Sequence, residues 1–208
     1  MDLNSQRDGW QSFIKNSTHN GIAQNLHASW DLATQSYTSH QEIDQEIFSF
    51  LKNINATDKV LDFGVGFGRN QSYLQKLFKV VHGYDLPEMV ARTPVKNLLF
   101  DDLNKLSDKY DLLYEVTVMQ HIPPNEVIYC LLKLAPRCKY FFTHTRSYND
   151  FCRNFDKQIG GVNMYNLIAA TNAWVPVIQT VSNPQNLNDE SHYSVLYKSK
   201  YFANEIIL

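Results

Sequence analysis

Gly64, Gly66 and Gly68 alternate with Val65 and Phe67, after the strand candidate Val60 to Phe63 and before a helical stretch, Asn70 to Phe78. Glycine lets a backbone turn sharply, and lets a ligand approach where a Cβ would intrude. A helix beginning near Arg69 would offer free N–H groups to polar atoms of such a ligand. The dinucleotide fingerprint is Gly-x-Gly-x-x-Gly, and its third glycine would fall where Arg69 stands. Here the pattern is Gly-x-Gly-x-Gly, with Asp62 two residues ahead of the first glycine. A tight turn that binds nothing is the plainer alternative for a glycine loop alone.

The elements around the loop follow one rhythm. A helix is expected from about Ser39 to Ile54, with Ile43, Ile47, Phe50, Leu51 and Ile54 near helical spacing and Asn55 to Asp58 closing it. Strands are expected at 60–63, 80–84, 98–100, 110–116, 140–143, 174–181 and 193–197. The run at 110–116 is apolar apart from Asp111 and Glu115 and reads as a buried parallel strand. Helices are expected at 70–78, 87–91, 124–134 and 163–171, with Pro87 suited to a first helical turn. Repeated strand–helix units predict an α/β fold, a mostly parallel sheet with helices on both faces. Such a sheet binds ligands outside the carboxyl ends of its strands. Pro176 cannot donate to a ladder, so its strand should carry a bulge or lie near an edge.

The 208 residues suit one domain. Within it, residues 1–40 are read as short helices that pack as a lid or substrate segment. Residues 41–208 are the core, with the long connection 146–161 as a lid insertion. The net charge of -2 and the absence of a basic block disfavour nucleic acid as a partner. Cys130, Cys138 and Cys152 show no Cys-x-x-Cys spacing, which fits a reducing compartment. With no basic and apolar leader and no membrane-length apolar run, the expectation is a cytoplasmic protein, oligomeric state open.

The stretch Val60-Leu61-Asp62-Phe63-Gly64-Val65-Gly66-Phe67-Gly68 resembles motif I of class I S-adenosylmethionine-dependent methyltransferases. Val81 to Asp85 is similar to motif II, with the acid ending the second strand. Asp102-Leu103-Asn104-Lys105-Leu106 is similar to the family's element after strand three, an acid followed four positions later by leucine. Tyr110 to Val116, followed by Thr117-Val118-Met119-Gln120-His121-Ile122-Pro123, resembles the fourth strand and its loop. Ser191 to Lys198 resembles the last, antiparallel strand. The resemblance runs in order from about residue 40 to residue 145. It implies a Rossmann-like, seven-stranded sheet and S-adenosyl-L-methionine as cofactor.

On that resemblance each motif residue acquires a role. Asp85 would accept hydrogen bonds from ribose hydroxyls and Asp102 from the adenine amino group. Leu86 and Leu103 would hold the adenine ring, and Asp62 would meet the methionine ammonium. Glu115, at the end of the fourth strand, would contact the cofactor. Tyr37, with Trp30 and Asp31, would belong to a lid over it, plain packing being the alternative. Methyl transfer is an in-line displacement on an activated sulfonium, so the protein aligns donor and acceptor and excludes water. A hydroxyl acceptor also needs a base. His121 and His144 are the catalytic candidates, since histidine accepts a proton near neutral pH. His121 could instead cap the helix that follows it. His144 and Arg146 together could receive an anionic or polyhydroxyl acceptor, a solvated role being the alternative for Arg146, and His192 would reach the site only if its loop folds inward.

Absences narrow the acceptor. Neither Asp-Pro-Pro-Tyr nor Asn-Pro-Pro-Tyr follows the fourth strand, no Pro-Cys pair offers a nucleophile, and no His/Cys cluster has metal-ligand spacing. These point to a small-molecule acceptor, methylated on oxygen or nitrogen, without a metal. Three alternatives stay open. They are non-methyl chemistry on the same fold, a non-catalytic cofactor-binding partner subunit, and a nicotinamide dehydrogenase, which Arg69 disfavours.

Overall fold

The computed structural model describes residues 43–91, 93, 95, 97–146, 164–182 and 192–203, with short strands at 30–31 and 36–37. At residues 30, 31, 36, 37, 121, 146, 181, 182 and 192 the backbone alone is described. The elements are β1 (Trp30–Asp31), β2 (Ser36–Tyr37), α1 (Gln45–Asn53), β3 (Lys59–Phe63), α2 (Gln71–Leu77), β4 (Val80–Tyr84) and α3 (Pro87–Val90). They continue as β5 (Leu99–Phe100), β6 (Tyr110–Val116), α4 (Pro124–Leu134), β7 (Cys138–Arg146), α5 (Met164–Ala170), β8 (Trp174–Ser182) and β9 (His192–Ser199).

Seven strands form one sheet in the order β5-β4-β3-β6-β7-β9-β8. The pairings from β5 through β7 are parallel, and β9 runs antiparallel between β7 and β8. The expected seven-stranded, Rossmann-like sheet with an antiparallel last strand is the one observed. β6 is buried at all seven positions, because it lies mid-sheet with helices over both faces.

Each face has its own core. On one, Leu61, Leu113 and Phe141 of the sheet meet Val127, Leu131 and Leu134 of α4 and Met164 and Ile168 of α5. On the other, Val60, Leu112, Tyr114 and Phe142 meet Ile47 and Leu51 of α1 and Leu74 of α2. Tyr114 and Phe142 stack across the β6–β7 pair with centroids 5.4 Å apart. The buried helical residues recur at helical spacing, Val127, Leu131 and Leu134 among them, and this stripe folds each helix onto the sheet. Burying one such leucine is worth roughly 1.5–3 kcal/mol.

Four expectations change. β7 extends three residues beyond Thr143, because His144, Thr145 and Arg146 stay paired with Ser194, Tyr193 and His192 of β9. α1 begins at Gln45, not near Ser39. Trp30–Asp31 and Ser36–Tyr37 are an antiparallel strand pair rather than part of a short helix. α2 begins at Gln71 and not near Arg69, since Arg69 and Asn70 still belong to the turn. Pro176 lies on the edge strand β8 where the register with β9 shifts, which meets both expectations for it. The lid segments read at 1–40 and 146–161 lie outside the described residues, apart from the backbone of Trp30, Asp31, Ser36, Tyr37 and Arg146. No helix of the described residues is long and apolar enough to cross a membrane.

Candidate active site

The order of strands reverses at β3, which has β4 on one side and β6 on the other. The carboxyl ends of these three strands therefore converge on the crevice where open α/β sheets bind ligands. The loop 64–68 leaves β3 at that point. Gly64 N–H donates to the Tyr84 carbonyl (2.8 Å) and so ties the loop to the end of β4.

Gly64, Gly66 and Gly68 all have positive φ, at 83°, 56° and 88°. Their surroundings differ. A Cβ on Gly64 would overlap the side chain of Val118, standing 2.6 Å from Cγ1. One on Gly68 would overlap Val95 Cγ2, whereas one on Gly66 would meet nothing within 4 Å. Only Gly66 presents open space to a ligand; the other two make room for the protein's own valines. The Gly66 N–H is not offered to a ligand: it donates to Asp85 Oδ2 at 2.7 Å.

Asp85 ends β4. Its Oδ1 accepts from Leu86 N–H (2.7 Å), so each oxygen holds one backbone amide and keeps further acceptor capacity. Burial pushes its carboxyl up to about 6 against the pull of those two amides. Asp62 lies in β3 at 2 % exposure and accepts from the Gln71 side chain. Burial pushes Asp62 up to about 7; the Asp85 charge adds to this, while the Gln71 bond and Arg69 oppose it. Buried Asp62 and half-buried Asp85, neither in a salt bridge among the described residues, make this corner electronegative, which favours a positively charged or polyhydroxyl ligand. Gln71 is held by Asn97, whose side-chain amide donates to Gln71 Oε1, and Gln75 donates to Asn97 Oδ1 (3.0 Å).

At the next strand end, Asp102 caps the short turn Leu103–Lys105, its Oδ1 accepting from Asn104 N–H at 2.8 Å and from the Asn104 side chain at 2.9 Å. Leu103 is buried in the α4 face of the core at 6 % exposure, so it does not offer its side chain to a ring. That leaves half-buried Leu86 as the apolar side chain of the expected pair with surface to offer. Glu88, in the first turn of α3, carries a buried oxygen, Oε2, that has no hydrogen-bond partner among the described residues.

The loop after β6 forms the opposite wall. Glu115 does not face the opening as expected of a cofactor contact. It is 1 % exposed, and its Oε1 accepts from Val118 N–H (2.6 Å) and Met119 N–H (3.0 Å) while Oε2 accepts from the Thr143 hydroxyl. Burial raises its proton affinity and these three donors oppose the rise. Between Glu115 and Val118, Thr117 takes φ 58°. For a β-branched residue that conformation costs about 1–3 kcal/mol, which the surrounding structure must offset. Thr117 N–H donates to the His144 carbonyl (2.8 Å), and the Thr145 hydroxyl donates to Gln120 Oε1 (3.1 Å).

His121 ends the short helical turn Met119–His121 on this loop. The N-cap position of α4 is Pro123. His144 is buried in β7, its Nδ1 2.9 Å from the Ser194 hydroxyl across the β7–β9 ladder. The side chains of His121, Arg146, His192, Trp30, Asp31 and Tyr37 lie outside the described residues. No group of His, Cys, Asp and Glu suited to a metal ion occurs among the described residues.

Sequence reasoning passed over Gln71, Asn97, Val118, Thr143 and Ser194. Gln71 left a trace, a glutamine at a buried position at the start of α2. The others act through partners far away in sequence.

No protein-family model matches the chain, and no curated protein matches its sequence. Solved structures do match. The N-methyltransferase NodS from Bradyrhizobium japonicum WM9, in complex with S-adenosyl-L-homocysteine, superposes with a TM-score of 0.55 at 14% identity, over 76% of this chain and 87% of that one. An S-adenosylmethionine-dependent methyltransferase from Clostridium acetobutylicum ATCC 824 gives 0.56 at 14% identity, over 76% and 93%. Magnesium protoporphyrin IX methyltransferase from Synechocystis PCC 6803, with bound S-adenosyl-L-homocysteine, gives 0.54 at 14% identity, over 78% and 90%. The chain has the fold of the class I S-adenosylmethionine-dependent methyltransferases.

Proposed function

We propose that this chain is an S-adenosylmethionine-dependent methyltransferase, cytoplasmic and built as a single domain, that methylates an oxygen or nitrogen of a small-molecule acceptor. The observation that carries the reading is the Asp85–Gly66 pair. An acid at the end of β4 holds the amide of the one loop glycine that faces open space.

The residues present fit the cofactor. Gly66 offers a cradle without a Cβ, buried Asp62 forms no salt bridge and Glu88 Oε2 meets no donor among the described residues, and Asp85 retains acceptor capacity. Asp62 would hold the methionine ammonium, Asp85 the ribose hydroxyls, and Leu86 and Asp102 the adenine. Bound there, S-adenosylmethionine supplies a methyl group on an electrophilic sulfonium. The chain's own work is to orient and desolvate. The Val118 wall and the glycine loop exclude water from one side. His121, on the loop after β6, would accept the proton of a hydroxyl or ammonium acceptor. His144, one strand over and held by Ser194, is the second candidate for that role.

Incubation with methyl-labelled S-adenosylmethionine and pooled small-molecule acceptors tests the reading. Label on an acceptor supports it; cofactor breakdown without a labelled acceptor contradicts it.

A further inference from the structure

Resting on the proposed cofactor site, we infer that Glu115 is a positioning residue that locks the β6 loop, and with it the Val118 wall, before any ligand arrives. Its carboxylate reaches three donors at once: the amides of Val118 and Met119 with one oxygen and the Thr143 hydroxyl with the other. The first two lie on the loop and the third on β7. The carboxylate therefore ties the loop to both strands that flank it. Between anchor and amides lies Thr117 in the left-handed region, a conformation the loop would leave if released. The loop so held sets Val118 against Gly64, the glycine that opens the ligand turn. A second tie, Thr145 to Gln120, fixes the far side.

What this arrangement needs from Glu115 is reach and acceptor geometry, not charge. A buried acid with raised proton affinity, whose oxygens face only hydrogen-bond donors, is replaceable by an amide of the same length. Glutamine can accept both loop amides through Oε1 and donate from Nε2 to the Thr143 oxygen. Aspartate keeps the charge and falls one methylene short.

The test is titration calorimetry with S-adenosyl-L-homocysteine on wild type, Glu115→Gln and Glu115→Asp, at a temperature where circular dichroism shows all three folded. It is run alongside amide hydrogen exchange of the unliganded proteins. Glu115→Gln is expected to bind within about threefold of wild type, and Glu115→Asp about tenfold or more weakly. The Val118 and Met119 amides should exchange about tenfold faster in Glu115→Asp and at the wild-type rate in Glu115→Gln. The reverse order of affinities, or equal affinities in all three, overturns the inference. If wild type itself binds nothing, the cofactor reading fails. The exchange rates then decide alone: equal Val118 exchange in wild type and Glu115→Asp overturns the positioning role.

Discussion

Val118 packs directly on Gly64, so closely that a Cβ on the glycine would overlap both valine methyl groups. The first glycine of the loop therefore makes room for a residue on the loop after β6, while Gly66 leaves its space open. The same residue type at two positions should fail in two different ways. Gly64→Ala adds overpacking to an unfavourable φ and should cost on the order of 2–4 kcal/mol in urea unfolding. Val118→Ala in that background should restore part of it. Strict additivity of the two substitutions would contradict the contact.

Gly66→Ala meets no neighbour, and alanine tolerates its φ at a cost of about 1–2 kcal/mol. It should fold, yet bind S-adenosyl-L-homocysteine about tenfold or more weakly, because the new methyl occupies the ligand's approach. Unchanged affinity by calorimetry would mean that the open face of the loop is not where the ligand lies.

Ligand affinity should depend on pH through Asp62 and Asp85, pushed up to about 7 and about 6 by burial. A ligand that needs both ionised must displace their protons below those values. Affinity for S-adenosyl-L-homocysteine should be highest at about pH 8 and weaken about tenfold or more by about pH 5. Calorimetry in buffers of different ionisation heat should also detect proton release near pH 6–7. A flat profile over this range would remove the two acids from the site.

The unliganded fold carries the opposite dependence. Asp62 binds its proton more tightly folded than unfolded, since its value rises from 3.8 to about 7. That contribution to stability is complete below about pH 4 and is lost as pH rises through about 7. Asp62→Asn should therefore be more stable than wild type at about pH 8, by on the order of 2 kcal/mol, with the advantage gone near pH 4. Thermal unfolding of both proteins across that range measures it.

Much of the fold was legible because burial left a pattern in the sequence. β4, β6 and α4 run over the residues read for them. β7 was read too short because its last residues, His144, Thr145 and Arg146, are polar and are kept in the sheet by pairing with β9. The pair Trp30–Asp31 and Ser36–Tyr37 is too brief to show any periodicity. In the site, the positions of Asp62, Asp85 and the glycines could be read from local spacing, but their tasks could not. Gly64 and Gly68 depend on Val118 and Val95, and Glu115 on Thr143, which only the folded sheet brings together. Leu103 was assigned to a ligand although its side chain closes the core.

The central claim is that the Asp85–Gly66 end of the crevice holds S-adenosylmethionine. Calorimetric titration of S-adenosylmethionine and S-adenosyl-L-homocysteine into wild type and Asp85→Ala, at about pH 8 where both acids are ionised, tests it most directly. Both ligands should show saturable one-site binding to wild type, and detectable binding should be lost in an Asp85→Ala protein whose circular dichroism matches wild type. Folded wild-type protein that takes up neither ligand, or Asp85→Ala that binds them as tightly as wild type, would contradict it.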